Sequence, residues 1–319
     1  MGPNGFRKDA MATGTFVHQA VVYDDPQTLA AVIGPIVQAS LDRGESPIIV
    51  LDADIAAALR DSLVDASRFQ VIDPADIYTR PWRTFASYAE TVLAKAEAGE
   101  PILLVGEPPY ATCDTDDAAE WLRVESALNT ALEGVDALVL CPYRRETAGD
   151  TVMDEMARVH PELRWAGGSG GSDTYVEPMT YLDEARNALL PELGAPDWEL
   201  QFDGSMLREL RRAVSFDAEL AGLDAARVPE FAVAVHEVAA NSVKHGGGAG
   251  TVRFWAMPHD IVCEIEDTGT LGSSPLGMLP PDPAVPTGRG LWLARQFSDS
   301  LAIATRPGGT VARMRIATR

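Results

Sequence analysis

Short apolar runs that alternate with helical stretches constrain the first half of this chain more than any other feature. The runs are SPIIVLDA (46–53), FQVID (69–73), PILLVGEP (101–108) and DALVLCPY (136–143). Near-continuous hydrophobic strands of this kind are typical of a parallel sheet, because the connecting helices cover both of its faces. The pattern therefore predicts a parallel α/β domain over residues 15–165.

A glycine- and serine-rich break follows this domain. The stretch AGGSGGSDT (166–174) is typical of a flexible tether, and a proline-rich connector continues it to residue 197. The remaining residues, 198–319, group their strands late and place helices between them, which predicts an α+β sandwich with helices on one sheet. The predicted strands cover 198–202, 250–258, 261–269 and 309–317, and the predicted helices cover 205–223, 228–245 and 288–299.

Composition and termini exclude several classes of protein. Residues 1–14 lack the apolar region of a secretory signal and are expected to form a disordered tail, and no run reaches the ~18 apolar residues of a membrane span. The net charge of −21 argues against a nucleic-acid partner, because phosphate backbones require clustered positive charge. Cys113, Cys141 and Cys263 lack metal-ligand spacing, so we interpret them as reduced thiols of a cytoplasmic protein without a metal or catalytic role.

One predicted helix ends in an unusual group of polar residues. In HEVAANSVKH (236–245), Glu237, Asn241, Lys244 and His245 recur at spacings that place them in neighbouring turns on one side. An amide oxygen can bind Mg²⁺, a carboxylate can orient or deprotonate an attacking hydroxyl, and an ammonium can contact phosphate. Taken alone, Asn241 would be an ordinary polar residue, and His245 is interpreted as a cation that stabilises the helix end.

Three further segments follow this helix: EIEDTG (264–269), PTGRGLWLARQFSD (286–299) and GGT (308–310). Together with the preceding helix, and in this order and spacing, they resemble the N, G1 and G2 boxes of the GHKL ATPase superfamily, which has the Bergerat fold. The helix corresponds to the N box, the DTG of 267–269 to the G1 box and the GRG of 288–290 to the G2 box. The resemblance covers residues 198–319. Within that superfamily the chain most resembles the RsbW-type anti-sigma factors, which are serine-protein kinases, and their histidine-kinase-like relatives.

The resemblance implies that the C-terminal domain binds ATP and Mg²⁺. It implies that Asn241 is the Mg²⁺ ligand, that Glu237 is the catalytic carboxylate, and that Lys244 contacts a phosphate. It further implies that Asp267 accepts a hydrogen bond from the adenine amino group and that Gly269 lets the backbone approach the base. Glycines at a helix N-terminus leave free N–H groups that can bind phosphate, which is the role expected for Gly288 and Gly290. The remaining expected ATP-binding residues are Arg289 and Thr310.

The sequence departs from the GHKL pattern in two places. Leu271 stands where many members have a glycine, and the lid at 270–287 is proline-rich and holds no basic residue, Arg289 being the nearest cation. These departures favour a rival function, a non-catalytic binding module whose shape depends on ATP. The intact pair of Glu237 and Asn241 favours a kinase.

A histidine kinase would require a helical hairpin with a phospho-accepting histidine before the ATPase domain. His160, in VHPELRW, is the nearest candidate, but no paired long helices follow it. We therefore interpret His160 as a turn histidine before proline.

The N-terminal half has a second resemblance. The segments FVHQAVVYDD (16–25), GEPP (106–109), RVESALN (123–129), LCPY (140–143) and ARVHPEL (157–163) resemble the MEDS sensory domain, whose layout is similar to RecA- or KaiC-like folds. No GxxxxGK[ST] loop occurs, so a Walker-type ATPase is not expected here. Ligands bind at the carboxyl ends of parallel strands, which predicts a sensory pocket, with a merely structural cluster as the alternative. The pocket would comprise His18, Tyr23, Glu107, Cys141 and Tyr143.

Together the resemblances imply a cytoplasmic regulator of transcription in the stress response. Its ATPase domain would bind a sigma factor and phosphorylate a serine or threonine of a STAS-domain antagonist, in a partner-switching scheme controlled by the sensory domain. A homodimer is expected. The sequence names neither the signal nor the particular partners.

Overall fold

The computed structural model describes residues 15–187, 190–270, 277–279, 281, 288–306 and 308–318. Residues 1–14, predicted to form a disordered tail, lie outside these ranges, as does most of the predicted lid. The chain divides near residue 181 into two compact units.

The N-terminal unit is built on a six-stranded sheet. Its strands are β1 (Phe16–Tyr23), β2 (Ile48–Val50), β3 (Ile102–Gly106), β4 (Ala137–Arg144), β5 (Glu162–Trp165) and β6 (Gly168–Gly171). Their order is β2-β3-β4-β1-β5-β6; neighbours are parallel except at the edge, where β6 runs antiparallel to β5. The predicted α/β sheet is therefore present, although β6 makes it mixed rather than wholly parallel.

Helices cover both faces of this sheet. They are α1 (Pro26–Asp42), α2 (Ala53–Ser62), α3 (Pro74–Ile77), α4 (Pro81–Glu97), α5 (Thr115–Ala131) and α6 (Arg145–Val159), followed by α7 (Pro178–Asn187). Helices α1 and α2 share an apolar core with Val21, Val105 and Leu140 on one face. Helices α4, α5 and α6 pack side by side, and α4 and α6 contact the central strands. Because side chains alternate along a strand, His18 and Cys141 point to the second face.

Residues 69–73 do not form the predicted strand. They make a single bridge, between Ile72 and Val50. The side chain of Asp73 accepts a hydrogen bond of 2.9 Å from the amide of Ala75 and caps α3, which begins at the next residue. Helix capping at Asp73 therefore ends the extended segment on the C-terminal side of this bridge.

The predicted tether at 166–174 also differs from the structure. Its glycines form β6, which pairs with β5 from Gly168 opposite Trp165 to Gly171 opposite Glu162. The hydroxyl of Ser172 then donates to the carbonyl of Ala157. Composition alone indicated flexibility here, but backbone pairing requires no side chains, so a glycine-rich segment can complete a sheet edge.

The C-terminal unit contains a five-stranded antiparallel sheet. Its strands are β7 (Trp198–Asp203), β8 (Ala249–Ala256), β9 (Asp260–Asp267), β10 (Ser300–Arg306) and β11 (Gly309–Ala317), in the order β10-β11-β9-β8-β7. The sequence prediction missed β10. Helices α8 (Leu207–Leu220), α9 (Val228–His245) and α10 (Gly290–Phe297) share one apolar core with the sheet, as the predicted α+β sandwich requires.

Helix α9 is the centre of this unit. Its apolar side, including Phe231, Val235 and Val238, lies in the core, and α8 and α10 pack against it. Pro229 falls in the first turn, where a missing N–H breaks no helical hydrogen bond, and Gly246 ends the helix. Within the described ranges, no helix has both the length and the apolar character that crossing a membrane requires.

Candidate functional site

The polar residues of α9 divide between a half-buried pair and an exposed pair. Glu237 and Asn241 are half-buried, whereas Lys244 and His245 are exposed at the end of the helix. The beginning of α10 lies against the half-buried pair: a Cβ added at Gly290 would lie 2.8 Å from Oε2 of Glu237 and 3.3 Å from Nδ2 of Asn241. Only glycine lets the α10 backbone come this close without displacing the carboxylate. The structure thus brings the predicted N and G2 boxes together.

Asp267 is held at the end of β9 by two hydrogen bonds. Its Oδ2 accepts from the hydroxyl of Ser242 at 2.6 Å, and its Oδ1 accepts from the amide of Gly269 at 2.8 Å. A carboxylate offers about four lone-pair directions, so roughly two remain for a further donor. Asp267 is therefore fixed in orientation and keeps free capacity to accept a hydrogen bond.

Gly269 and Thr310 extend the same framework. The hydroxyl of Thr310 donates to the carbonyl of Gly269 at 2.8 Å, and Thr310 pairs with Asp267 across β11 and β9. A Cβ added at Gly269 would lie 2.7 Å from the Cα of Gly246 and 2.8 Å from the carbonyl oxygen of His245. Glycine at 269 is required here by close packing against the end of α9, a reason that the sequence did not reveal.

Two further predicted ATP-binding residues lie at the start of α10. Gly288 and Arg289 are exposed and immediately precede α10, and among the described residues no side chain caps the N-terminus of this helix. The first amides of an uncapped helix can donate to an anion. Leu271 and most of the lid lie outside the described residues.

Ser242 is a site residue that the sequence analysis missed. It is buried on α9 and its partner Asp267 lies 25 positions later in the chain. Small residues are common in helices, so nothing local marks this serine. Its position directly after Asn241 is the one signal that could have drawn attention to it.

The predicted sensory pocket separates into two groups. Tyr23 and Glu107 form one group, in which the phenol contacts the two carboxylate oxygens at 2.8 and 2.9 Å. Burial raises the pKa of Glu107 to about 7; the hydrogen bond from Tyr23 acts against this rise and the charge of Asp52 adds to it. Burial likewise raises the pKa of the Tyr23 hydroxyl, so the phenol stays protonated as the donor and Glu107 is the member of this pair whose pKa lies near neutral pH.

His18 and Cys141 belong to a second, fully buried group with Glu125 and His160. Nε2 of His18 lies 3.1 Å from Oε2 of Glu125 and 3.3 Å from Sγ of Cys141, and that sulfur lies 3.3 Å from the same carboxylate oxygen. Nε2 of His160 lies 3.6 Å from Oε2 of Glu125. We call these four residues the buried cluster. They come from β1, α5, β4 and the end of α6, with at most 4% of each residue exposed.

The interpretation of His160 as a turn histidine is wrong. It does end α6 and precede Pro161, but it is 0% exposed, and its ring centroid lies 4.2 Å from that of His18. Tyr143, also predicted for the pocket, packs edge-on against the ring of His160, with the ring centroids 5.6 Å apart. Its ring also stacks on that of Tyr110. The buried cluster therefore includes two residues, Glu125 and His160, that the sequence analysis did not assign to the pocket.

Protonation within the buried cluster is set by its surroundings. Burial raises the pKa of the Glu125 carboxyl, but interactions with His160 and His18 outweigh it and lower that pKa to about 2. Burial lowers the pKa of the His160 imidazole and raises the pKa of the Cys141 thiol. The cluster thus combines the buried carboxylate of Glu125 with an imidazole, His160, and a thiol, Cys141, whose neutral forms are favoured by burial.

Comparisons with known proteins agree with both resemblances. Residues 17–161 match the family model described as "MEDS: MEthanogen/methylotroph, DcmR Sensory domain", and residues 202–316 match the model of the histidine kinase-like ATPase domain. No curated protein matches the sequence.

Solved structures similar to the chain include two histidine kinases. The catalytic domain of histidine kinase ThkA has 14% identity over 38% of this chain and 96% of its own, with a TM-score of 0.25. The Acinetobacter baumannii histidine kinase AdeS has 10% identity over 74% of this chain and 96% of its own, with a TM-score of 0.26. From the two family matches, we conclude that the chain carries a MEDS sensory domain followed by a histidine kinase-like ATPase domain.

Proposed function

We propose that the chain is a regulator whose C-terminal domain binds MgATP and whose MEDS domain controls that activity. The observation that carries the proposal is the fixed carboxylate of Asp267, held by Ser242 and Gly269 between α9 and β9. An adenine amino group is a donor that this carboxylate can accept, whereas guanine presents a carbonyl oxygen at the same position. The domain family and this geometry therefore favour ATP over GTP.

Two residues that precede Ser242 on α9, Asn241 and Glu237, fit the phosphate end of the nucleotide. Asn241 offers an amide oxygen, and Mg²⁺ is commonly bound by a few oxygen ligands while it retains waters. Glu237 lies beside it, next to the backbone at Gly290 that begins α10. ATP supplies the transferable phosphoryl group; Glu237 would orient or deprotonate the accepting hydroxyl, and the amides at the start of α10 would donate to phosphate.

By resemblance to RsbW-type anti-sigma factors, we propose that the partners are a sigma factor and a STAS-domain antagonist. The antagonist would be phosphorylated on serine or threonine, which would change the partner that the domain holds. Homodimer formation and a RecA- or KaiC-like identity for the N-terminal domain are further proposals from the same resemblances.

Two alternatives to the proposed kinase are a non-catalytic ATP-binding module and a histidine kinase. The cation-poor lid sequence and Leu271 favour a non-catalytic module that responds to ATP by binding alone. A histidine kinase that phosphorylates its own His160 is disfavoured, because this side chain is 0% exposed and a phospho-acceptor must be reachable.

Calorimetric titration of the full chain with MgATP and with MgGTP tests the proposal. We expect ATP to bind more tightly, and we expect Asp267→Asn to reduce that preference because the amide is partly a donor. Asp203→Asn, at an exposed carboxylate on β7, is the matched control and should behave as the wild type. Equal affinity of the wild type for both nucleotides, or no affinity for either, would contradict the proposed function.

A further inference from the structure

We propose that His18, Glu125, Cys141 and His160 bind one divalent transition-metal ion of the zinc type. The site lies wholly in the MEDS domain and is independent of nucleotide binding by the ATPase domain.

The spacing of the four side chains matches the requirement of a small metal ion. One ligand atom from each residue can be chosen so that all four lie within 4.8 Å of one another. Four of the separations between these atoms run from 3.1 to 3.6 Å. Zinc–ligand bonds of about 2.0–2.3 Å in a tetrahedron separate ligand atoms by roughly 3.3–3.8 Å. Four of the six separations are within a few tenths of an ångström of this range, and the other two are at most 4.8 Å, so an ion fits after shifts of at most about 1 Å.

Both histidines are oriented to present Nε2 to the cluster. Nδ1 of His160 lies 3.0 Å from the carbonyl oxygen of Met156, which can only accept, so Nδ1 carries the proton. Nδ1 of His18 lies 3.0 Å from Oδ1 of Asn129, and the amide orientation is fixed because Nδ2 of Asn129 donates to the carbonyl of Val159 at 2.8 Å. Metal-binding histidines commonly donate their other N–H to such oxygens.

With these tautomers and with both imidazoles neutral, the centre of the cluster lacks proton donors, so its charge balance requires either a proton on one Nε2 or a bound cation. Nε2 of His18, Nε2 of His160 and the Glu125 carboxylate all present lone pairs, and only the Cys141 thiol can donate. Nε2 of His160 is buried and has no hydrogen-bond partner among the described residues, the nearest carboxylate oxygen, Oε2 of Glu125, lying 3.6 Å away. Burying unpaired acceptors beside a carboxylate costs several kcal/mol in general, and a cation bound between them would remove that cost.

The ligand chemistry selects the class of ion. Two imidazoles, one thiolate and one carboxylate suit zinc and its first-row neighbours, whereas calcium and magnesium take oxygen ligands. An adjoining cavity of about 20 Å³ is lined by Tyr78, Tyr88 and Trp121 together with Glu125 and Cys141. A further ligand on the ion is therefore limited to roughly the size of one water molecule.

Metal content and cobalt spectroscopy of the untagged full chain test the proposal. After treatment with a chelator, we expect the chain to take up one equivalent of Co²⁺, with a thiolate-to-cobalt charge-transfer band in the near ultraviolet. Zinc should displace the cobalt and abolish the band. Cys141→Ser should lose the band, whereas Cys113→Ser, at a half-buried thiol of the same domain that lies outside the cluster, should retain it.

Asn129→Ala provides a variant that keeps all four ligands. Loss of a hydrogen bond to a metal-binding histidine should weaken cobalt affinity by about 10–100-fold while the charge-transfer band persists at saturation. Should Cys141→Ser fail to fold, the wild-type stoichiometry and band still decide the question.

Two results would overturn the proposal. One is a wild-type chain that takes up no equivalent of cobalt or zinc; this would leave a protonated hydrogen-bond network as the explanation of the cluster. The other is a charge-transfer band that survives in Cys141→Ser and disappears in Cys113→Ser. Titration of the same samples with MgATP separates this outcome from a failure of the proposed nucleotide function.

Discussion

The hydroxyl of Ser242 donates a 2.6 Å hydrogen bond to the carboxylate of Asp267, joining the middle helix of the ATPase domain to the end of β9. The same helix carries Asn241 directly before Ser242 and Glu237 about one and a half turns earlier. The proposed adenine acceptor and the proposed catalytic pair are thus held by one rigid element.

Ser242→Ala should weaken MgATP binding without removing it. Asp267 would keep its bond from the Gly269 amide but lose the donor that orients its other oxygen. A hydrogen bond to a charged group contributes about 1.5–3 kcal/mol, so we expect a loss of affinity of roughly 10-fold or more by calorimetry. Ser215→Ala, at a serine of α8 that bonds only to its own helix, is the control, and an equal loss in both variants would rule out the role of Ser242.

Asn241→Ala should remove the part of ATP affinity that depends on Mg²⁺. An alanine offers no oxygen ligand, so the variant should bind ATP about equally with Mg²⁺ and with a chelator present. The wild type should bind about 10-fold more tightly with the metal, a difference of ~1.4 kcal/mol. Affinity that still rises with Mg²⁺ in the variant would show that another residue holds the ion. Gln201→Ala, at an exposed amide of β7, is the control.

Glu237→Gln should separate binding from phosphoryl transfer. Because Glu237 is assigned to the accepting hydroxyl, ATP affinity should change only a few-fold, whereas transfer to a STAS-domain protein should fall about 10²–10⁴-fold. Transfer would be measured with radiolabelled ATP, with Glu219→Gln, an exposed glutamate of α8, as the control. If the wild type transfers no phosphoryl group and partner binding is the same in both proteins, the non-catalytic module is the correct function.

Gly290→Ala should impair transfer more than folding. The added Cβ would lie 2.8 Å from Oε2 of Glu237, and a glutamate end can move aside at little cost to stability. Displacing a catalytic group by about 1 Å can cost up to ~10²-fold in rate. Thermal unfolding and transfer would be measured together. Gly170→Ala, where the added Cβ would lie 3.7 Å from the Trp165 ring, should leave both unchanged.

Glu107→Gln should change how the stability of the MEDS domain depends on pH. The pKa of Glu107 is raised from 4.5 to about 7, so the folded state binds more protons than the unfolded state between these values. The contribution of Glu107 to the free energy of unfolding is at most roughly 3 kcal/mol. It is fully present below pH 4.5 and is lost as the pH rises through about 7.

Urea unfolding at pH 5 and pH 8 measures this effect. The wild type should lose more stability over this interval than Glu107→Gln, which cannot ionise. Glu97→Gln, at an exposed glutamate of α4, should keep the wild-type dependence. An identical pH dependence in Glu107→Gln and the wild type would contradict the raised pKa.

The sequence by itself predicted both domain classes and nominated the residues of the candidate nucleotide site. Apolar runs between helical stretches predicted the α/β sheet, because buried parallel strands need hydrophobic side chains on both faces. The spacing of Glu237 and Asn241 on one helix is a local property, so their shared face could be derived without a tertiary structure. The order of the boxes is likewise read directly from the sequence, and its resemblance to the GHKL pattern indicated the ATPase domain.

Only the tertiary structure decided which distant residues meet. Glu125, Cys141 and His160 come together with His18 across separations of more than one hundred positions, and Ser242 reaches Asp267 across 25. No local pattern encodes such contacts, since they depend on strand order and on which face each helix covers. The glycine-rich segment at 166–174 failed as a predicted tether for a related reason. Its backbone pairs with β5 through hydrogen bonds that composition does not specify, because every residue type except proline carries the same amide donor.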